Sequence, residues 1–174
     1  HTVFSDGTVW PTVRVEEAWR DGLDAISITD HIEYQPHRND IPTQHDRPYD
    51  IAKPAADALG LILIRGTEIT RDTPPGHHNA IFTTTNDSLD TPDFYDAIRQ
   101  ADKQGAFIFY NHPGWKHPQG IAEWFPYQEK IFGDGMLYGV EVVNGNSYYP
   151  LAHQWCIDKK LTIMGSTDVH QPIT

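Results

Sequence analysis

A single cysteine, Cys156, in a chain of 174 residues excludes an internal disulfide, and its place between Trp155 and Ile157 in an amphipathic stretch reads as a buried structural thiol. Basic residues are also scarce. Thirteen Lys and Arg stand against 24 Asp and Glu, a formal net charge of -11 that repels phosphate backbones, so no nucleic-acid binding is expected. Long apolar runs are missing as well: nothing approaches the roughly 18 consecutive apolar residues of a membrane span, and the mean hydropathy of -0.53 agrees. Linkers, internal repeats and low-complexity tracts are absent, and at about 150 residues per domain the length fits one unit over residues 1–174. The chain opens on His1 instead of methionine, so the native start is expected outside it. A soluble protein, cytoplasmic or exported, is expected, with the oligomeric state left open.

What the chain does have is ten histidines, set beside aspartate and glutamate in short motifs. The surrounding pattern alternates helix and strand. A helix is predicted over Val13–Asp21, with Val15, Ala18 and Trp19 on one face and Gly22 as its stop; others over Tyr49–Leu59, Asp93–Gln104, near Ile121–Lys130 and over Leu151–Lys159. Apolar, β-branched runs predict strands at Ala25–Thr29, Leu61–Thr67, Asn79–Thr84, Ala106–Tyr110, Leu137–Val143 and Leu161–Gly165. Their near-continuous apolar character suits a parallel sheet buried on both faces, so the fold class is α/β. Six strands plus one before His1 would make seven, short of the eight strands and about 250 residues of a standard (β/α) barrel, so a smaller, distorted barrel is expected.

Asp30, His31, Glu68, His112, Glu141 or Asn144, Asp168 and His170 fall at predicted strand ends, while His77 precedes its strand. In a parallel barrel such ends meet on one face. Imidazole and carboxylate are ligands for zinc, manganese and iron, and no thiolate is needed. Each piece alone has a plain structural explanation: Ser5-Asp6-Gly7 as a turn, Asp30 as a cap, His112-Pro113 as a turn. Glu68 is harder to explain so, because a carboxylate entering a barrel mouth needs a counter-charge.

The ordered motifs HTVFSDG, ITDH, GTE, PPGHHNAIF, NHPGW and GSTDVH resemble the polymerase and histidinol phosphatase (PHP) family of metal-dependent phosphoesterases, over essentially the whole chain. The resemblance implies a distorted seven-stranded (β/α) barrel, TIM-like in plan, and three divalent metal ions, Zn, Mn or Fe. His1 matches the second histidine of an opening His-x-His whose first member would lie two residues upstream, on the missing N-terminal strand. His1, Glu68 and Asp168 would hold the first metal, Glu68, His77 and His112 the second, with Glu68 bridging, and Asp6, His31 and His170 the third. His77 is preferred over His78, which would point away, because PPGH-x-NAIF is similar to a phosphodiesterase-like branch.

The implied activity is hydrolysis of a small-molecule phosphodiester, or of a phosphomonoester, by a hydroxide bridging two metals, with Glu68, Asp168 and His170 carrying the catalysis. Lys116, His117 and Arg65 are candidates for binding the substrate phosphate, as is Arg71, while Asp30, Asn144 and Glu141 would orient ligands. His37, His45 and His153 read as exposed, and Trp115, Trp124, Phe125 and Tyr127 as packing. Two rival readings are an amidohydrolase-like barrel hydrolase and a non-catalytic metal-binding module. No Ser-His-Asp arrangement or phosphate-cradling glycine loop is present to support other hydrolytic routes.

Overall fold

The computed structural model describes residues 1–42 and 44–173. Five helices, α1 (Pro11–Arg20), α2 (Arg47–Leu59), α3 (Phe94–Lys103), α4 (Pro126–Gly133) and α5 (Pro150–Lys159), lie among seven strands, β1 (Ala25–Ile28), β2 (Ile62–Ile69), β3 (His78–Ile81), β4 (Phe107–Tyr110), β5 (Gly139–Asn144), β6 (Ser147–Tyr148) and β7 (Thr162–Ser166). Pro11, Pro126 and Pro150 are the first residues of three helices and Pro48 the second residue of α2, where the absent N–H costs nothing and the fixed φ suits the first turn. Asp93 caps α3 instead, its carboxylate accepting from the Asp96 N–H at 2.9 Å. The helix expected near Ile121–Lys130 begins only at Pro126, leaving the preceding Trp- and Gly-rich stretch irregular.

The strands form one mixed, curled sheet in the order β1-β2-β3-β4-β5-β6, with β7 pairing β5. The α/β class is as read from the sequence. The all-parallel arrangement is not: β3 runs antiparallel to both β2 and β4. The cause is connection length, since the eight residues between Ile69 and His78 include no crossover helix, and parallel neighbours need a dozen or more. The count of seven also has a different origin, with two-residue β6 paired antiparallel to β5. The sheet is a half-barrel in which, among the described residues, β1 pairs only with β2 and β7 only with β5. Residues 1–8 lie across the open side: the Thr2 N–H donates to Asp30 at 2.6 Å, the His1 amino group to the Val169 carbonyl at 3.1 Å, and the Thr8 N–H to the His170 carbonyl at 2.9 Å.

Two apolar cores hold the layers. Val15 and Ala18 of α1 meet Ala52 and Ala56 of α2 over Ile28 and Leu63. Ile98, Ile108, Ile131, Val140 and Cys156 belong to the larger core; Cys156 is buried as expected, although Ile157 beside it is 59% exposed. Trp19, expected on the packed face of α1, is 55% exposed; Arg14 and Glu17 are buried on that helix instead. No helix of the described residues is long and apolar enough to cross a membrane.

Candidate metal centre

The reversal of β3 explains the odd placement of His77. Because β3 runs backwards, its entry lies beside the exits of β2 and β4: His78 is opposite Ile69 and Tyr110, and the Asn111 N–H donates to the His77 carbonyl at 3.0 Å. His77 therefore reaches the same edge as Glu68 and His112 despite preceding its strand. The short run after β1 adds His31, which forms a parallel bridge with Glu68. The segment after β7 adds Asp168 and His170, and the N-terminal segment adds His1 and Asp6.

Glu68 occupies the middle, 1% exposed. Its Oε1 lies 2.6 Å from His77 Nδ1, 3.3 Å from His31 Nδ1 and 3.9 Å from His112 Nε2, while Oε2 lies 3.4 Å from His1 Nε2. Asp168 Oδ1 is 2.9 Å from His1 Nε2, and Oδ2 is 4.0 Å from His112 Nε2. Asp6 Oδ1 stands 3.1 Å from His170 Nε2, 3.4 Å from His31 Nε2 and 3.9 Å from His1 Nδ1. All eight residues singled out as metal ligands thus come together.

Three overlapping groups have donor atoms close enough to share an ion: His1, Asp6, His31 and His170; His31, Glu68 and His77; and His1, Glu68 and Asp168. The last matches the grouping implied by resemblance. The other two differ from it in detail, since His31 stands beside Glu68 as well as Asp6, and His112 falls between Glu68 and Asp168.

The donor set fits divalent cations on a physical ground beyond proximity. Asp6 Oδ1, Glu68 Oε1 and His77 Nδ1 are buried, and close as they lie to neighbouring imidazoles and carboxylates, they make no hydrogen bond of good geometry among the described residues. Unsatisfied buried polar atoms are costly, and cations coordinated by these atoms would remove the cost. Protonation follows the same crowding. Burial works against charge on Glu68, but His1, His112, His31 and His77 around it hold its carboxyl well below the usual range. Burial likewise opposes charge on Asp6, and His170 and His31 outweigh it, so its carboxyl is strongly depressed. The His1 imidazole, which burial alone would lower, is carried up to about 10 by Asp168 and Glu68, and His31 up to about 9 by Asp6 and Glu68. His77 goes the other way, with burial dominant.

A second layer of contacts holds these candidate ligands in place. Asp30 accepts from the Thr2 N–H, from Thr2 Oγ1 at 2.8 Å and from Ser5 Oγ at 2.6 Å, which organises the loop carrying His1 and Asp6. Asn144 donates to Asp168 Oδ2 at 3.2 Å and to Glu141 Oε2 at 2.9 Å, and Glu141 accepts the His112 N–H at 2.6 Å. A register shift between Glu141 and Val143 of β5 accompanies this arrangement.

The substrate-side candidates divide. Lys116 lines the cleft over the ligands, a space of about 1090 Å³, with its Nζ 4.1 Å above the Trp115 ring. Arg71 also lines it, paired with Glu33 and donating to the Thr91 carbonyl at 2.7 Å. Arg65 does not: it pairs with Asp46 at 2.5 Å and Asp50 at 3.1 Å and covers Tyr49 at 4.0 Å, all at the start of α2. Its separation from Glu68 by three strand positions puts the two on opposite faces. His117 is likewise turned into its own loop, where Nδ1 accepts the Gln119 and Ile121 N–H groups at 3.2 and 3.3 Å.

Among the histidines set aside, His37 is exposed, but His45 is buried, with Nδ1 3.1 Å from Gln35 Nε2 and Nε2 3.3 Å from Asp90. His78 points away from the centre, fully buried and stacked on Tyr110. Trp115 is not a packing residue alone: its ring stands 4.6 Å from that of His77 and 5.2 Å from that of His112, and it is 42% exposed and lines the cleft. The sequence signal for it was its position three residues after His112. Tyr34 and Asp90 also line the cleft and carried no such signal.

No family model matches the chain, and no curated protein does. Solved structures do. One is a two-domain protein from Bacteroides vulgatus containing a predicted PHP-like metal-dependent phosphoesterase, 53% identical, with a TM-score of 0.96 over 99% of this chain and 50% of that one. The chain therefore spans about half the length of that protein. A second is a protein from Bifidobacterium adolescentis named as an inferred metal-dependent phosphoesterase, at 19% identity and TM-score 0.72, covering 99% of this chain and 86% of that one. A third is an amidohydrolase from Chromobacterium violaceum with bound sulfate and no metal, at 14% identity and TM-score 0.71 over the same shares. The last two show the fold alone. The PHP resemblance carried by the six motifs is thus matched by a solved structure along nearly the whole chain.

Proposed function

We propose that this chain is the catalytic domain of a PHP-type, metal-dependent phosphoric ester hydrolase. The observation that carries the reading is the division of Glu68, whose Oε1 addresses His77 and His31 while Oε2 addresses His1. A carboxylate placed so can bridge two cations. Divalent ions held there, Zn²⁺, Mn²⁺ or Fe²⁺, would activate water for attack on phosphorus and neutralise the phosphoryl oxygens.

The residues of the chain supply the rest. His1, Asp168 and Glu68 would form one side of the binuclear site, Glu68, His77 and His112 the other, and Asp6, His31 and His170 a third site beside them. Asn144 and Glu141 hold Asp168 and the His112 backbone in place, so the two ligands from β4 and β7 keep one geometry. Lys116, over the Trp115 ring at the cleft wall, would meet the ester's anionic oxygens, with Arg71 taking the place expected of Arg65 and His117.

The substrate proposed is a small phosphodiester, with a phosphomonoester as the alternative. Full-length protein loaded in turn with Mn²⁺, Zn²⁺ and Fe²⁺ should hydrolyse members of a panel of both ester classes. Protein that carries its metals and turns over neither class overturns the enzyme reading in favour of a metal-binding module. Turnover of C–N substrates instead would favour the amidohydrolase-like reading.

A further inference from the structure

Helix α1 contributes no ligand to the metal centre, yet it buries an ion pair that ends on the backbone of two ligand-bearing segments. Arg14 is 6% exposed and Glu17 3%. Arg14 Nη1 donates to Glu17 Oε2 at 2.6 Å, and the remaining donors go to carbonyls: Nη2 and Nε to that of His1 at 3.1 and 3.4 Å, and Nη1 to that of Gln171 at 3.2 Å. Glu17 uses its other oxygen, Oε1, to accept the Ile173 N–H at 2.9 Å. One guanidinium therefore joins the residue bearing the His1 ligand to the residue that follows His170.

We infer that Arg14 and Glu17 are positioning residues, which set the segment carrying His1 and Asp6 against the segment carrying Asp168 and His170. The inference rests on the reading of these side chains as metal ligands. Two features separate this role from general stabilisation. A buried ion pair is a poor way to gain stability, since apolar side chains of similar volume often do as well or better. The contacts are also placed where the two segments meet: Asp168 Oδ1 lies 2.9 Å from His1 Nε2, and Arg14 holds the backbone carbonyl of that same His1 together with that of Gln171, three residues past Asp168. The planar fork of arginine can reach several acceptors at once, and a lysine ammonium cannot reproduce that pattern.

The test uses the full chain with Co²⁺ as a spectroscopic probe and bis(p-nitrophenyl) phosphate as a chromogenic ester. Arg14→Lys should keep the far-UV circular dichroism of the wild type, bind Co²⁺ about ten- to a hundredfold more weakly, and shift its visible absorption bands. Its kcat should fall with KM little changed, because ligand geometry is altered and the cleft wall is not. The double variant Arg14→Met/Glu17→Leu removes the charges and leaves an apolar pair, so it should fold while keeping the weakened Co²⁺ binding. Wild-type Co²⁺ affinity and spectrum in either variant would show the pair to be merely structural and overturn the inference alone. A wild type that takes up no Co²⁺ would overturn the functional reading and this inference with it.

Discussion

Glu68 Oε1 lies 2.6 Å from His77 Nδ1, although the two residues belong to opposite ends of oppositely directed strands. The contact joins the exit of β2 to the entry of β3, and the second oxygen of the same carboxylate faces His1. Asp6 is placed differently, its Oδ1 surrounded by His170, His31 and His1 on one side of the centre. The two acids should therefore differ in what they hold. Glu68→Ala should lose about two metal ions per chain and fall to background activity, since it removes a bridge and leaves cations facing one another. Asp6→Ala should lose about one and retain measurable turnover. Elemental analysis of folded protein checks both, and equal losses would require the bridge to be reassigned.

Lys116 and His117 are sequence neighbours with opposite surroundings, and kinetics should separate them. Lys116→Ala removes a cation from the cleft wall, and a hydrogen bond to a charged group is worth about 1.5–3 kcal/mol, so kcat/KM for a phosphate ester should fall about ten- to a hundredfold. His117→Ala loosens only its own turn and should stay within about twofold, as should Arg65→Ala. A large kinetic defect in Arg65→Ala with unchanged folding would move the substrate site to the α2 side of the sheet.

How much of this was legible follows from what side-chain type and spacing encode. The candidate ligands were legible only jointly, because an imidazole or carboxylate at one strand end has a plain structural use, whereas a sheet gathers several such ends onto one edge. Strand direction was not, because an apolar run has the same pattern read either way; only the short Thr70–His77 connection hinted that β3 turns back. Arg65 is near Glu68 along the chain, but three strand positions of period-two alternation put the two on opposite faces of the sheet. His45 looked like a loop residue in a polar stretch, and its burial comes from tertiary partners, Gln35 and Asp90, that local composition does not reveal. Arg14 and Glu17 carry no local signal in the sequence, because their burial comes from His1, Gln171 and Ile173, which lie at the two far ends of the chain.

His78 gives an acid-stability test apart from the ligands. Burial pushes its imidazole down to about 3, with Gln128 Nε2 3.2 Å from Nε2. A histidine whose folded pKa is depressed contributes its stability above the unfolded value of about 6.5 and loses it as pH falls toward the folded value. Between about pH 6.5 and 3 this one group should steepen the loss by up to ~1.4 kcal/mol per pH unit. His78→Phe keeps an aromatic ring against Tyr110 and removes the titration, so its Tm should fall less over that window than that of the wild type. Parallel Tm curves for the two proteins would show that His78 already titrates with an ordinary pKa.

Metal-stripped protein should be sensitive to the opposite end of the pH scale. His1 and His31 carry folded pKa values of about 10 and about 9, so at pH 7 both imidazoles are protonated and offset the charges of Asp6, Glu68 and Asp168. A raised folded pKa contributes stability that is complete below the unfolded value near 6.5 and disappears as pH climbs through the folded value. Raising pH from 7 to 10 in the presence of a chelator should therefore lower Tm, as the imidazoles become neutral and leave buried carboxylates facing one another. Divalent cations take over the compensating charge, and their ligands must be deprotonated to bind them, so loaded protein should keep its Tm over the same range. The same exchange should release about two protons per chain when metal is added at pH 8 in weak buffer. A flat Tm curve for the stripped protein, together with metal uptake that leaves the pH unchanged, would mean that His1 and His31 are already neutral before the ions arrive, and the electrostatic account of the centre would have to be withdrawn.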